Sequence, residues 1–229
     1  MSRVGLHVLA LSRRVIRRGV IALAGLVTIS LALVWQHVLG AVRYVPRLER
    51  LFAELHRDPV LVEALREQSA ALADWDESWA LAQDKIWYAE RMQGEGPLQR
   101  SFMDRPASRH LRDIVSASDG LVSHAFLIDA KGQMAAAPFP SFNFWQFDKP
   151  KFHYASARGA RARDVSWLQL SWDGSHPACW RAEALADPQT GALIGVLALE
   201  VNYLKVGYFG CIEEPVHTPD ERATNHVKL

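Results

Sequence analysis

The sequence is short of several things at once. Only two of its 229 residues are cysteine, Cys179 and Cys211, too few to build a fold from disulfides and without the short-range Cys/His spacing of a zinc or haem site. Residues 1–42 contain no Asp or Glu, and residues 20–42 carry no Asp, Glu, Lys or Arg. There is no Gly-x-Ser-x-Gly elbow, no Gly-x-x-x-x-Gly-Lys-Ser/Thr loop and no dinucleotide fingerprint. Asp113, Asp119 and Asp129 with His124 could surround a serine in space, but any globular chain offers such a set, so neither catalysis nor a cofactor is expected. A net charge of +1, from 26 basic and 25 acidic side chains, excludes a strongly basic nucleic-acid binder and an acidic disordered chain.

That neutrality is an average over two unlike parts. Arg3, Arg13, Arg14, Arg17 and Arg18 all precede residue 19, which leaves 21 basic against 25 acidic residues in the remainder. The stretch Val20 to Trp35 reads VIALAGLVTISLALVW, and apolar character resumes from Val38 to Val42. Roughly 20 such residues cross a hydrocarbon core about 30 Å thick, and the arginines before them mark the cytoplasmic side. The expected layout is a basic stub (1–18), a transmembrane anchor (19–42), an exported domain (43–212) and a polar tail (213–229). This describes a single-pass protein of a bacterial inner membrane with its C-terminal domain in the periplasm. A removed signal peptide, with small residues near Gly40 and Ala41, and a twin-arginine signal at Ser12-Arg13-Arg14 are the alternatives, and both also export the chain.

Residues 44–92 read as mostly helical, with Asp58-Pro59 as a capped helix start. Leu61, Leu65, Leu72, Trp75, Trp79, Ala82 and Ile86 form one apolar stripe at helical spacing. A shorter helix is expected from Pro106 to Ser116. The period then changes: residues 121–128 and 133–137 read as a hairpin closed by Asp129-Ala130-Lys131-Gly132. Strands over 165–172, 178–186 and 192–201 follow as an antiparallel meander. The expectation is an α+β domain, a five-stranded antiparallel sheet with helices on one face and a long excursion (138–164) between strands two and three.

This order resembles the Cache or PDC-type extracytoplasmic sensor domain, a PAS-like fold. The resemblance rests on four matches in sequence order. They are Asp76-Glu77-Ser78-Trp79, Asp129 with Gly132, the closing Gly191, Ile194, Gly195, Val196 and Leu197, and above all residues 142–152. That last segment is similar to a Ser-Asp-Tyr-Trp-Gln-Gly-Asp-Glu-x-Lys-Trp run in a subset of these sensors. Trp145, Gln146, Asp148 and Lys151 are kept, while Asn143, Phe147 and Lys149 replace an acid, a glycine and another acid. The resemblance implies a ligand-sensing domain acting in signal transduction. It implies a partner such as a kinase, cyclase or receptor, because the family's usual output domain is not found here, and homodimers through the long helix. Leu48, Leu51, Phe52 and Leu55 are candidates for the contact with that partner.

A loop of this kind closes a pocket over the sheet. Phe142, Phe144, Trp145 and Tyr154 are expected as ligand-binding walls, with Phe147 and Phe152 beside them, and Asn143, Gln146, Lys149, Lys151 and His153 as donors. Lys149 and Lys151 suit an anionic carboxylate. A cationic amine stacked on Trp145 and held by Asp148 is the opposite choice. The same residues can instead form a satellite core, which would make the domain a ligand-free envelope scaffold or interaction protein. His110, His124, His153 and His176 have no metal-ligand spacing. Cys179 and Cys211 can form a disulfide in an oxidising compartment, remain two thiols, or leave Cys211 for another subunit.

Overall fold

The computed structural model describes residues 3–211 apart from 95, 142, 158, 160–162 and 167, and without the side chains of 3–17, 33, 36 and 37. Seven helices and six strands are described. A long helix α1 (Arg3–Leu55) leads into α2 (Pro59–Ala71). Asp58 caps α2 as its sequence suggests, its carboxylate accepting from the N–H groups of Val60 and Leu61. The chain then turns at 72–75, and Asp76 caps a separate helix α3 (Glu77–Gln93) by accepting from Trp79 N–H. This restart shifts the helical phase, so the expected single stripe breaks. Leu61 and Leu65 are buried, but Ala80 and Trp87 are the buried residues of α3, while Trp79 and Ile86, one position earlier in each case, face outward.

Two helices follow, α4 (Pro97–Met103), which the sequence reading missed, and α5 (Pro106–Ala117). The hairpin is β1 (Val122–Asp129) and β2 (Met134–Ala136). Gly132 takes φ +83° in the turn, and a Cβ there would stand 2.7 Å from Phe147 Cα, so this glycine also lets the excursion press onto the hairpin. The excursion holds an unforeseen helix, α6 (Pro150–Ala157). The expected third strand is two short ones, β3 (Arg163–Val165) and β4 (Gln169–Leu170), both paired antiparallel to β5 (Pro177–Ala186). The sheet therefore has six strands rather than five. β5 continues antiparallel into β6 (Leu193–Asn202), and a last helix, α7 (Tyr203–Gly210), follows. The path is β2-β1-β6-β5-β3, with β4 beside β5.

Helices cover both faces of the sheet, not one. Leu127, Leu197, Leu199 and Cys179 pack under α1, α2, α5 and α7; Phe126, Ile128, Ala182, Val196 and Ala198 pack under α3, α4, α6 and the excursion. The strand period of two sorts these residues, and because both faces are buried the central strands are apolar almost throughout. Leu48, Phe52 and Leu55 are 0, 2 and 3% exposed within the first of these cores, with Leu51 packed against it. Leu48, Phe52 and Leu55 hold the domain to its own helix and are not open to a partner. A disulfide joins Cys179 on β5 to Cys211 at the end of α7.

Among the described residues, no helix is long and apolar enough to cross a membrane. The uncharged part of α1 still has large apolar side chains open on every side, including Val20, Leu23, Leu26, Ile29, Leu31 and Trp35.

Candidate functional site

The excursion is pinned before it reaches α6. Asp84 on α3 accepts the backbone N–H groups of Phe144 (2.7 Å) and Trp145 (3.1 Å), Trp87 donates its indole N–H to Ser141 O (2.8 Å), and Gln146 N–H reaches Gly132 O (2.7 Å). Helix α6 then lies across the sheet with Phe152 and Ala155 buried. Between the excursion, α6 and the sheet is a cavity of about 210 Å³.

One cation defines its interior. The Lys151 ammonium lies 4.0 Å from the Phe126 ring centroid and 4.3 Å from that of Trp180, over two rings stacked 4.9 Å apart. It has no hydrogen bond or ion pair among the described residues. Burial pushes its pKa down to about 7, against the pull of Glu200. Glu200 is itself buried and accepts from Ser123 Oγ (2.7 Å) and Trp172 N–H (3.0 Å), and burial raises its pKa. His124, 1% exposed, meets Trp172 edge-on at 5.3 Å, with Phe139 stacked behind Trp172. Burial pushes His124 down to about 4, with Lys151 acting in the same direction, so its ring is neutral near pH 7. Lys149 and Arg91 also line the cavity. The Lys151 ammonium, with Lys149 and Arg91 in the lining, thus sits beside one carboxylate within aromatic walls, an arrangement suited to a small anion.

Of the residues singled out from the sequence, Asn143, Gln146, Lys149 and Lys151 line this cavity. Phe144 is not in its lining and packs in a cluster with Trp87 and Phe102. Trp145 stacks on Phe147 at 5.6 Å and does not line the cavity. Asp148 pairs with Lys149 at 3.0 Å on the surface, and His153 and Tyr154 lie exposed against each other. Phe142 lies outside the described residues. The sequence reading missed the sheet's own contribution, His124, Phe126, Trp180 and Glu200, together with Trp172 and Arg91. The signal that could have found them is alternation: Trp180 and Glu200 are register partners on β5 and β6, and His124 pairs with Glu200 across β1 and β6. Among the other histidines, His110 pairs with Asp58 at 2.7 Å. The described residues contain no cluster of three or more His, Cys, Asp or Glu able to hold a metal.

A larger groove of about 860 Å³ runs between α2, α3, α4 and α5. Of its charged groups, Arg105 donates to Gln68 Oε1 (3.0 Å) and Glu63 pairs with Arg66 (3.7 Å). The smaller cavity, where the Lys151 ammonium rests on two aromatic rings with no hydrogen bond or ion pair among the described residues, is the better ligand site.

No protein-family description matches the sequence, and no curated protein does either. Solved structures similar to the chain are sensor domains of histidine kinases and chemoreceptors. The sensor domain of the V. cholerae histidine kinase DctB aligns at a TM-score of 0.49 and 15% identity, over 83% of this chain and 60% of that one. The E. coli DcuS sensor domain aligns at 0.35 and 14%, over 56% and 90%. The ligand-binding domain of the Campylobacter jejuni chemoreceptor Tlp3, in complex with 4-methylisoleucine, aligns at 0.34 and 10%, over 66% and 62%. The chain spans less than two thirds of the DctB and Tlp3 structures.

Proposed function

We propose that the chain is a membrane-anchored periplasmic sensor that binds a small carboxylate between α6 and the sheet and signals through a partner protein. The observation that carries this reading is Lys151, an ammonium held in a cavity by two aromatic faces and by no carboxylate. A part-buried cation with no ion pair is costly, and a bound anion would relieve that cost. Lys149 and Arg91 would add charge, and Asn143 and Gln146 would orient the ligand. The uncharged stretch of α1, apolar on all sides, and the arginines before it support anchoring.

A route from ligand to anchor runs along β5. Trp180 faces the cavity, while its neighbour Arg181 points to the opposite face and is held by Glu49 of α1 at 2.7 and 2.8 Å and by Glu183 at 2.6 Å. Movement of Trp180 on ligand binding is thereby felt at α1, whose exposed length is the surface left for a kinase, cyclase, receptor or second copy.

The test is calorimetric titration of the full chain in detergent with a panel of small carboxylates, and with amino acids and amines for contrast. A carboxylate is expected to bind and Lys151→Met to weaken that binding at least about tenfold. If no carboxylate binds, or if Lys151→Met leaves the affinity unchanged, the ligand reading falls and a ligand-free scaffold takes its place.

A further inference from the structure

The apolar surface of α1 does not stop where the domain begins. Helix α7 lies against α1 at Gly40, where a Cβ would come within 2.7 Å of the Lys205 carbonyl oxygen. Val206 and Gly210 are the buried side of α7. The opposite side carries Leu204, Tyr208 and Phe209, which are 59, 65 and 68% exposed. On α1 next to this contact, Leu39 and Val42 are 50 and 70% exposed. A folded domain rarely leaves two neighbouring aromatic rings and three aliphatic side chains open in one place.

The position of this patch along α1 indicates what covers it. The uncharged run ends at Val42 and the first charge is Arg43, only about 5 Å of helix beyond Gly40 at 1.5 Å per residue. The Arg43 guanidinium and the Lys205 ammonium lie 5.3 and 4.9 Å from the Tyr44 ring, marking the level at which basic groups begin. A band of exposed tyrosine and phenylalanine with apolar chain on one side and basic residues on the other matches the boundary between acyl chains and headgroups. We infer that α7 and the adjoining turn of α1 form a foot that rests in the outer surface of an anionic bilayer, with Leu204, Tyr208 and Phe209 among the upper acyl chains and Arg43 and Lys205 at the headgroups. This rests on the reading that residues 20–42 lie in lipid.

The test places the photoreactive residue benzoylphenylalanine, one site at a time, in place of Val27, Tyr208, Phe209 or Ile86 in the full chain. The chain is reconstituted in vesicles of phosphatidylethanolamine and phosphatidylglycerol and irradiated. Ile86 is the control, an exposed apolar residue of α3 at 47% exposure. Lipid adducts at the Tyr208 and Phe209 sites, several-fold above the Ile86 site, are expected. Adducts to a second copy of the chain at these sites, or lipid adducts no greater than at Ile86, overturn the inference. The Val27 site separates the two readings: lipid adducts there but not at Tyr208 or Phe209 sink the foot and leave the anchor, whereas none at Val27 sinks the anchor.

Discussion

The two faces of one strand treat a recessed cation in opposite ways. On the α1 side of β5, Arg181 is 2% exposed and fully engaged: Glu49 and Glu183 grip its guanidinium, Arg163 and His56 share those carboxylates, and the Phe52 ring lies 4.5 Å away. Burial pushes the Glu183 carboxyl upward, yet these contacts outweigh it and hold its pKa down to about 2. On the cavity side, Lys151 has two rings and no carboxylate. Closed networks hold elements together and gain little from an added ligand. An open one is incomplete until something of opposite charge arrives.

The strongest way to break this comparison is to cut the closed network. Arg181→Met leaves the buried Glu183 with only the more exposed Arg163 and His56, and urea unfolding should show a loss of up to about 3–5 kcal/mol, the range of a buried pair deprived of one partner. An effect under ~1 kcal/mol would mean that the clamp is an ordinary surface pair. Lys151→Met should do the reverse, leaving ligand-free stability level or slightly higher. A lost charge-assisted hydrogen bond of about 1.5–3 kcal/mol would weaken carboxylate binding roughly 10- to 100-fold in titration calorimetry.

The pH dependence sharpens the contrast further. Only the protonated ammonium attracts an anion, so affinity should be level below pH 7 and fall above it, by up to about tenfold per pH unit, with proton uptake on binding. The folded pKa of Lys151 is about 7 against an ordinary value of 10.5. Between those values the unfolded chain holds a proton that the folded chain lacks, and ligand-free stability should therefore rise with pH across that window. His124 acts lower: its folded pKa is about 4 against 6.5, so its contribution is lost as pH falls from about 6.5 toward 4. The smallest effect belongs to Asp148→Ala, which removes an exposed pair and should change stability by less than about 1 kcal/mol in thermal unfolding.

Local chemistry made the element order readable from sequence. Asp58-Pro59, the Asp129–Gly132 turn and the Asp187–Gly191 turn announce themselves through groups that bond within a few residues. The phase of α3 was not readable, since one capping residue at Asp76 moved every buried position by one. Nor was the second covered face, because a strand buried on both sides shows continuous apolar sequence that periodicity cannot assign. The site was half legible. Asn143, Gln146, Lys149 and Lys151 sit together in a distinctive run, whereas His124, Trp180 and Glu200 come from three strands and meet only through register.

The disulfide has a practical consequence. Cys179 and Cys211 stand 32 positions apart, and the chain between them contains nearly all of β5, the β5–β6 turn, β6 and α7. The exposed residues 188–192 of that turn are the natural place for a protease to cut. A nick there would open the ring without releasing a fragment, and the two pieces would separate on a denaturing gel only after reductant is added. A preparation that runs as one band without reductant is therefore no guarantee of an unbroken chain.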